Sequence, residues 1–332
     1  MESKLVENEQ AWKKKVSAIF CEQYKKDGIL LLMDSAIVEL AAPRSIGVRE
    51  RLAAFAELTK PRIAFMLVLS SAAGFYMGTT GGFDALLFVN AMIGIVLLAF
   101  GVATLNQFIE RRTDAFMERT ASRPLPTGKI TPAEALIFGI VQCAVAEAYL
   151  YFLVNPLTAA LGVSVIVGYV FMYTPLKSVT SASTAIGAVP GAMPPLMGWT
   201  AATNEVTLGA WILFVFLFLW QFPHFFAIAW IYKDQYANAG IKMLPVVDPD
   251  GCITARQIVM FAMMMVAVSV APFFFGLTGW VFPIVTSILG IWFMWQSILT
   301  AKAKSPEMAR KLLMVSVVYL PLVFLAMVLD KR

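Results

Sequence analysis

Seven stretches of this chain contain no Asp, Glu, Lys or Arg: residues 63–83, 85–109, 148–176, 178–204, 206–232, 257–301 and 312–329. A helix needs about 20 apolar residues to cross the hydrocarbon of a bilayer. Runs of this length predict a polytopic membrane protein. Run 257–301 holds two spans divided near Gly276-Leu-Thr-Gly279, and Asn155-Pro156 predicts a turn between two more. The reading is nine transmembrane helices, at 63–80, 85–107, 133–153, 157–174, 183–202, 208–232, 255–275, 280–300 and 311–329. The expected fold class is all-α, with two related four-helix halves plus a ninth helix. Continuous rather than alternating runs argue against a transmembrane barrel. With 59% hydrophobic and 14% charged residues, the composition also excludes a soluble enzyme, a disordered chain and a nucleic-acid binder.

Lys and Arg sit in alternate connections only. One set holds Arg111, Arg112, Arg119, Arg123, Lys129, Lys177, Lys233, Lys242, Arg256, Lys302, Lys304, Arg310 and Lys311, and the opposite loops hold none. Basic loops stay on the cytoplasmic side, so segments 108–132 and 233–254 and the N-terminus are expected in the cytoplasm and the C-terminus outside, with Lys331 and Arg332 as minor dissenters. Residues 1–57 read as a partly disordered cytoplasmic extension and 58–332 as the membrane domain. The lysines at 13–15 and 25–26 would suit either a lipid surface or a solvated tail. Cys21, Cys143 and Cys252 form no CxxC, and His224 is the single histidine, which excludes a multi-histidine metal centre.

Two inward connections echo each other. Pro126-Thr-Gly-Lys-Ile-Thr131 precedes the third span and Pro249-Asp-Gly-Cys-Ile-Thr254 the seventh. Each ends in a potential capping box, Thr131 with Glu134 and Thr254 with Gln257. The match suggests a repeat, whose interface is a common place for a membrane active site. Ordinary capping chemistry would also account for it.

Asn106, Glu110 and Asp114 are spaced i, i+4, i+8. If the second span continues inward they share one helix face, and none of the acids has a cation four residues on. Such an oxygen-rich face suits Mg²⁺, which takes carboxylates together with phosphate oxygens. Arg119, Arg123 and Lys129 follow and could hold those phosphates. A solvated amphipathic loop is the alternative. Asp234 and Asn238 repeat the i, i+4 spacing after the sixth span. That span ends Trp220-Gln221-Phe222-Pro223-His224, where Pro223 frees backbone carbonyls. His224 either satisfies them or serves a function. Glu147 and Gln142 read as inter-helical polar contacts. Pro190, Pro194 and Pro195 predict a kinked fifth span, suited to close packing or to a cavity for a bulky apolar substrate.

These motifs resemble the protohaem IX farnesyltransferases (haem O synthases) of the UbiA-type intramembrane prenyltransferases. The likeness runs from about residue 57 to the C-terminus. It rests on Leu58-Thr-Lys60-Pro61-Arg62-Ile63, on Asn106…Glu110…Asp114 with Arg119-Thr-Ala-Ser-Arg123-Pro-Leu, and on Tyr173-Thr-Pro-Leu-Lys177. Pro194-Pro195-Leu-Met-Gly-Trp199, Trp220-Gln-Phe-Pro-His224-Phe and Ala239-Gly-Ile-Lys-Met-Leu-Pro-Val-Val247 extend it. Departures are Glu110 for the usual Asp, Ser178 for Arg, Ser183 for Asn, and Asp234-Gln235 for an acidic pair.

The resemblance implies Mg²⁺ as cofactor, with Asn106, Glu110, Asp114 and Asp234 as ligands. It implies Lys60, Arg119, Arg123 and Lys177 for the diphosphate, and Gln221, His224, Tyr173 and Tyr236 for substrate. Asn106, Asp114 and His224 would be catalytic. The implied reaction transfers farnesyl from farnesyl diphosphate to a vinyl group of haem b, through an allylic carbocation with water completing the product, in the cell (inner) membrane. His224 would bind haem iron, meet a propionate or take a proton. A haem A synthase or a terminal oxidase would be the assembly partner. Competing readings are prenylation of an aromatic quinone precursor, a transporter with repeated halves, and a respiratory-chain assembly protein.

Overall fold

The computed structural model describes residues 46–332. The expectations for residues 1–45, including Cys21 and the two lysine runs, lie outside the described residues. The helices are α1 Val48–Leu58, α2 Pro61–Gly78, α3 Ala85–Ala115, α4 Pro132–Leu153, α5 Pro156–Leu176, α6 Ser183–Thr203, α7 Leu208–Ile231, α8 Lys233–Asn238, α9 Cys252–Phe274, α10 Val281–Ala303 and α11 Pro306–Leu329. Among the described residues seven of these are long and apolar enough to cross a membrane: α3, α4, α5, α7, α9, α10 and α11. The protein is therefore an all-helical, multi-pass membrane protein.

α2 and α6 fall outside that set although both were expected to span. They pack closely on each other, and Pro61 and Arg62 in α2 and three internal prolines in α6 lower their hydropathy. A Cβ on Gly74 would lie 2.0 Å from the Pro195 carbonyl oxygen, and one on Gly198 would lie 1.9 Å from that of Ser71. Only glycine allows backbones this close, and lipid-embedded helices associate by such contacts.

Local signals set most helix starts. Asn155 accepts from Thr158 N at 2.8 Å with Pro156 in the first turn, as expected. At α4 the Thr131–Glu134 capping box is complete. The matching box at Thr254 and Gln257 does not form. α9 begins earlier, at Cys252 behind Gly251 at φ +65°, and the Asp248 carboxylate accepts from Thr254 N at 2.7 Å and Oγ1 at 2.8 Å. A carboxylate from the preceding turn outcompetes the glutamine, so the echo does not extend to shared capping.

Two large buried apolar clusters make up most of the core. One joins α3, α4 and α5 through residues such as Val102, Cys143, Leu150 and Val170. The larger joins α7, α9, α10 and α11 through Phe216, Ile258, Phe293 and Tyr319. α2 and α6 contribute to both. Lys331 closes the ring: its Nζ donates to Tyr76 O at 2.5 Å and Thr79 O at 2.6 Å. A cation on the last carbonyls of α2 is favourable, which gives this half-buried basic residue a local role.

At the other end of α2, α1 covers the bundle. Ala54 and Leu58 are buried with Phe108, Leu125 and Ile130. Arg51 pairs with Glu134, and Lys129 with Glu50 at 3.1 Å. The expected domain boundary at residue 57 falls inside α1.

Candidate active site

α3 runs to Ala115, eight residues beyond the expected end at 107. Asn106, Glu110 and Asp114 therefore share one helical face. Asn106 is 1% exposed and Asp114 4%. Each meets a cation from a different part of the chain. Lys60 Nζ donates to Asn106 Oδ1 at 2.8 Å, Lys177 Nζ to Glu110 Oε1 at 2.8 Å, and Arg123 Nη1 to Asp114 Oδ2 at 2.6 Å.

Lys60 caps the start of α2 at φ +50°, in the left-handed region. For a non-glycine residue that costs about 1–2 kcal/mol. Gln107 steadies this turn by donating to Leu58 O at 3.0 Å and Glu57 O at 3.3 Å. Burial, with the Arg123 guanidinium adding to it, lowers the Lys60 ammonium to about 7. Burial also opposes charge on Lys177, but the Glu110 carboxylate outweighs it and holds Lys177 well above the ordinary lysine range. Arg123 and Lys177 thus have carboxylate partners, whereas Lys60 has a neutral amide. Three cations face two carboxylates, a set that an anion would complete.

α5 winds as a π-helix across Val167–Tyr173, which ends on Tyr173 and leads directly into Thr174 and, just past the helix end, Lys177. Such segments concentrate at functional sites. Lys177 Nζ lies 4.6 Å from the Tyr173 ring centroid, and a Cβ on Gly187 would strike that ring at 2.4 Å.

The expected diphosphate ligand Arg119 is engaged elsewhere. Its guanidinium stacks 4.6 Å from the Tyr232 ring and donates to the Tyr236 hydroxyl at 3.1 Å, while its backbone N–H meets Gln235 Oε1 at 3.2 Å. It ties the 116–131 connection to α8. Tyr236 is buried with Met117, Ala229, Ile241 and Met243, whereas Asp234 is exposed and makes no hydrogen bond or ion pair among the described residues.

Gln221 and His224 face different neighbours. Gln221 Nε2 donates to Ala188 O on α6 at 2.9 Å. The His224 ring stacks on Trp220 with centroids 4.6 Å apart, and its Nδ1 lies 2.8 Å from Ser316 Oγ on α11. The single Ser316 hydroxyl hydrogen goes to Leu313 O at 2.6 Å. Ser316 therefore accepts from Nδ1–H, which leaves Nε2 of the neutral ring as an acceptor. Among the described residues His224 makes no hydrogen bond to the carbonyls freed by Pro223 and none to the Lys60–Asn106 cluster. Gln142 accepts from Thr104 at 3.2 Å, an inter-helical pair as expected. Both Glu147 carboxyl oxygens are instead buried without a hydrogen-bond partner.

No group of three or more His, Cys, Asp or Glu side chains is arranged to hold a metal among the described residues. Asp234 is therefore not assembled with Glu110 and Asp114. Mg²⁺ ordinarily takes one or two carboxylates and completes its shell with phosphate and water oxygens. The donors Asn106, Glu110 and Asp114 fit that arrangement with a phosphate present. Sequence reasoning missed Thr174, Gln107 and Ser316, which orient the residues it named. Only position beside a named motif residue could have marked the first two, and nothing marked Ser316.

Residues 67–326 match the sequence model of the UbiA prenyltransferase family. The chain belongs to that family. A protohaem IX farnesyltransferase of Solibacter usitatus is 43% identical over 286 residues, covering 83% of this chain and 98% of the relative. One from Koribacter versatilis is 41% identical, covering 90% and 99%. Solved structures share the fold. A digeranylgeranylglyceryl phosphate synthase superposes with TM-score 0.72 at 19% identity, covering 85% of this chain and 98% of that one. A UbiA homologue from Archaeoglobus fulgidus bound to GPP and Mg²⁺ gives 0.61 at 17%, covering 82% and 99%.

Proposed function

We propose that this chain transfers a farnesyl group from farnesyl diphosphate to a vinyl group of haem b, with water adding the hydroxyl to the vinyl carbon next to the ring and losing a proton, yielding haem O and diphosphate. The 43% identity to a protohaem IX farnesyltransferase across 98% of that relative's length carries the choice of substrates. The cation set around Asn106, Glu110 and Asp114 supports diphosphate chemistry. In this reading Lys60, Arg123 and Lys177 hold the diphosphate, with Arg119 closing the connection above it. Asn106, Glu110 and Asp114 would hold Mg²⁺ jointly with phosphate oxygens. When bound, Mg²⁺ supplies Lewis-acid stabilisation of the charge that builds on the departing diphosphate. Two lysines and an arginine fixed before reaction add electrostatic stabilisation without reorganising. The apolar bundle takes the prenyl tail and keeps water from the allylic centre. The haem lies toward Gln221 and His224, with Tyr173 and Tyr236 bordering the prenyl donor.

The protein sits in the inner membrane with all nine long helices, α2–α7 and α9–α11, crossing it. The site end and α1 face the cytoplasm. The test offers purified protein farnesyl diphosphate and Mg²⁺ with either haem b or an aromatic quinone precursor. Haem b alone should gain the mass of one farnesyl group plus one hydroxyl, its vinyl group becoming a hydroxyethylfarnesyl group. Prenylation of the aromatic compound instead would overturn the choice of acceptor.

A further inference from the structure

Thr174 is buried and held by hydrogen bonds on two sides. Its Oγ1 donates to Tyr169 O at 2.7 Å, the carbonyl that also receives Thr174 N across the π-helical turn. A hydroxyl has one hydrogen to give. Toward its other neighbour, Asn106 Nδ2 at 3.2 Å, Thr174 can only accept. That fixes Nδ2 against Thr174 and turns Oδ1 the other way, toward Lys60 Nζ at 2.8 Å. Lysine is a donor only, so both ends of the Asn106 amide agree.

We propose that Thr174 is a positioning residue: it sets the flip of the Asn106 side chain so that the carbonyl oxygen, not the NH₂ group, faces the cation-lined site. With the opposite flip two N–H donors would point at Lys60 and at any metal ion. The amide would repel the cations it is meant to hold. The π-helix has a role here, because its wider turn brings both Thr174 donors onto Tyr169 O and leaves the hydroxyl lone pair aimed at α3. A serine keeps the same donor and acceptor, whereas valine has the threonine shape without either.

This inference rests on the prenyltransferase reading only in assigning the site to a metal and a diphosphate. Its test uses Mn²⁺ and inorganic pyrophosphate as probes, with Mn²⁺ paramagnetic resonance as readout on the full-length protein. Thr174→Val should weaken pyrophosphate-dependent Mn²⁺ binding by about tenfold or more, the scale of a lost oriented hydrogen-bonded ligand. Thr174→Ser should bind as wild type does. A carboxylate presents an oxygen in either flip, so Asn106→Asp should restore Mn²⁺ binding in the Thr174→Val background. A purely structural role for Thr174 would not be repaired by a change at 106. If the valine prevents folding, Thr174→Ala gives the same test. Wild-type affinity in Thr174→Val, or no rescue by Asn106→Asp, overturns the inference alone. Wild-type protein that binds no Mn²⁺ with pyrophosphate overturns the inference together with the assignment of the site.

Discussion

Lys177 Nζ and Glu110 Oε1 lie 2.8 Å apart, although 67 residues separate them in the chain. The pair links the end of α5 to the last turns of α3. The glutamate side chain reaches the lysine across that gap. Breaking a largely buried pair leaves an uncompensated charge. Lys177→Met should therefore lower pyrophosphate affinity and reduce thermal stability together. Glu110→Asp should keep turnover, because a carboxylate remains on the same face. Loss of turnover in Glu110→Asp with stability unchanged would contradict this.

Asp114 and Arg123 make the second ion pair, 2.6 Å long. Asp114→Asn preserves shape and removes the charge. It should cut turnover by about 100-fold or more, the usual cost of losing one charge-stabilising group, with the protein still folded. Arg123→Ala should weaken farnesyl diphosphate binding more than haem binding. Near-normal rate and Mg²⁺ dependence in Asp114→Asn would remove this residue from the metal site.

Arg119 is predicted to behave differently from Arg123. Its contacts are Tyr232, Tyr236 and Gln235, so Arg119→Ala should loosen the 116–131 connection. The expected loss is about 0.5–1 kcal/mol, typical of an exposed cation–π contact. Limited proteolysis of that connection should speed up while pyrophosphate affinity falls less than in Arg123→Ala. Equal losses in both variants would show that Arg119 binds the anion directly.

The long helices and the site's acidic face were legible in the sequence because they depend on local terms. Charge-free runs mark the helices, and the i, i+4, i+8 spacing puts Asn106, Glu110 and Asp114 on one face once α3 continues. The capping box at Thr131 was legible for the same reason. The partners were not. Lys60, Lys177 and Arg123 reach the face from three separate elements, and no spacing rule predicts which cation meets which acid. The box at Thr254 failed because Asp248 arrives from outside the motif. The prolines of α6 pointed to close packing, but nothing local in the sequence named α2 as its partner.

His224 should be separable from the diphosphate site. His224→Ala is predicted to lose haem O formation while farnesyl diphosphate affinity is retained. Ser316→Ala, which removes the acceptor for Nδ1–H, should give a smaller loss of the same kind. Axial ligation predicts a changed haem absorption spectrum in His224→Ala, whereas a propionate or proton-transfer role predicts little change. Wild-type haem O yield from a stable His224→Ala protein would exclude the residue from the site.

Orientation can be read from Cys252, which is exposed beside the site-end connections, whereas Cys143 is buried. With Cys21 and Cys143 replaced by serine, a membrane-impermeant maleimide should label Cys252 in inverted vesicles and not in intact spheroplasts. Labelling in the intact spheroplasts would overturn the topology.

The central claim is that this site couples prenyl transfer to diphosphate release, and one measurement addresses it directly. Wild-type protein is incubated with haem b, farnesyl diphosphate and Mg²⁺, and product mass and free diphosphate are followed together. The account predicts haem O and diphosphate appearing one for one, with both lost in Asp114→Asn. Diphosphate release without haem O, or haem leaving unmodified with no diphosphate formed, would contradict it.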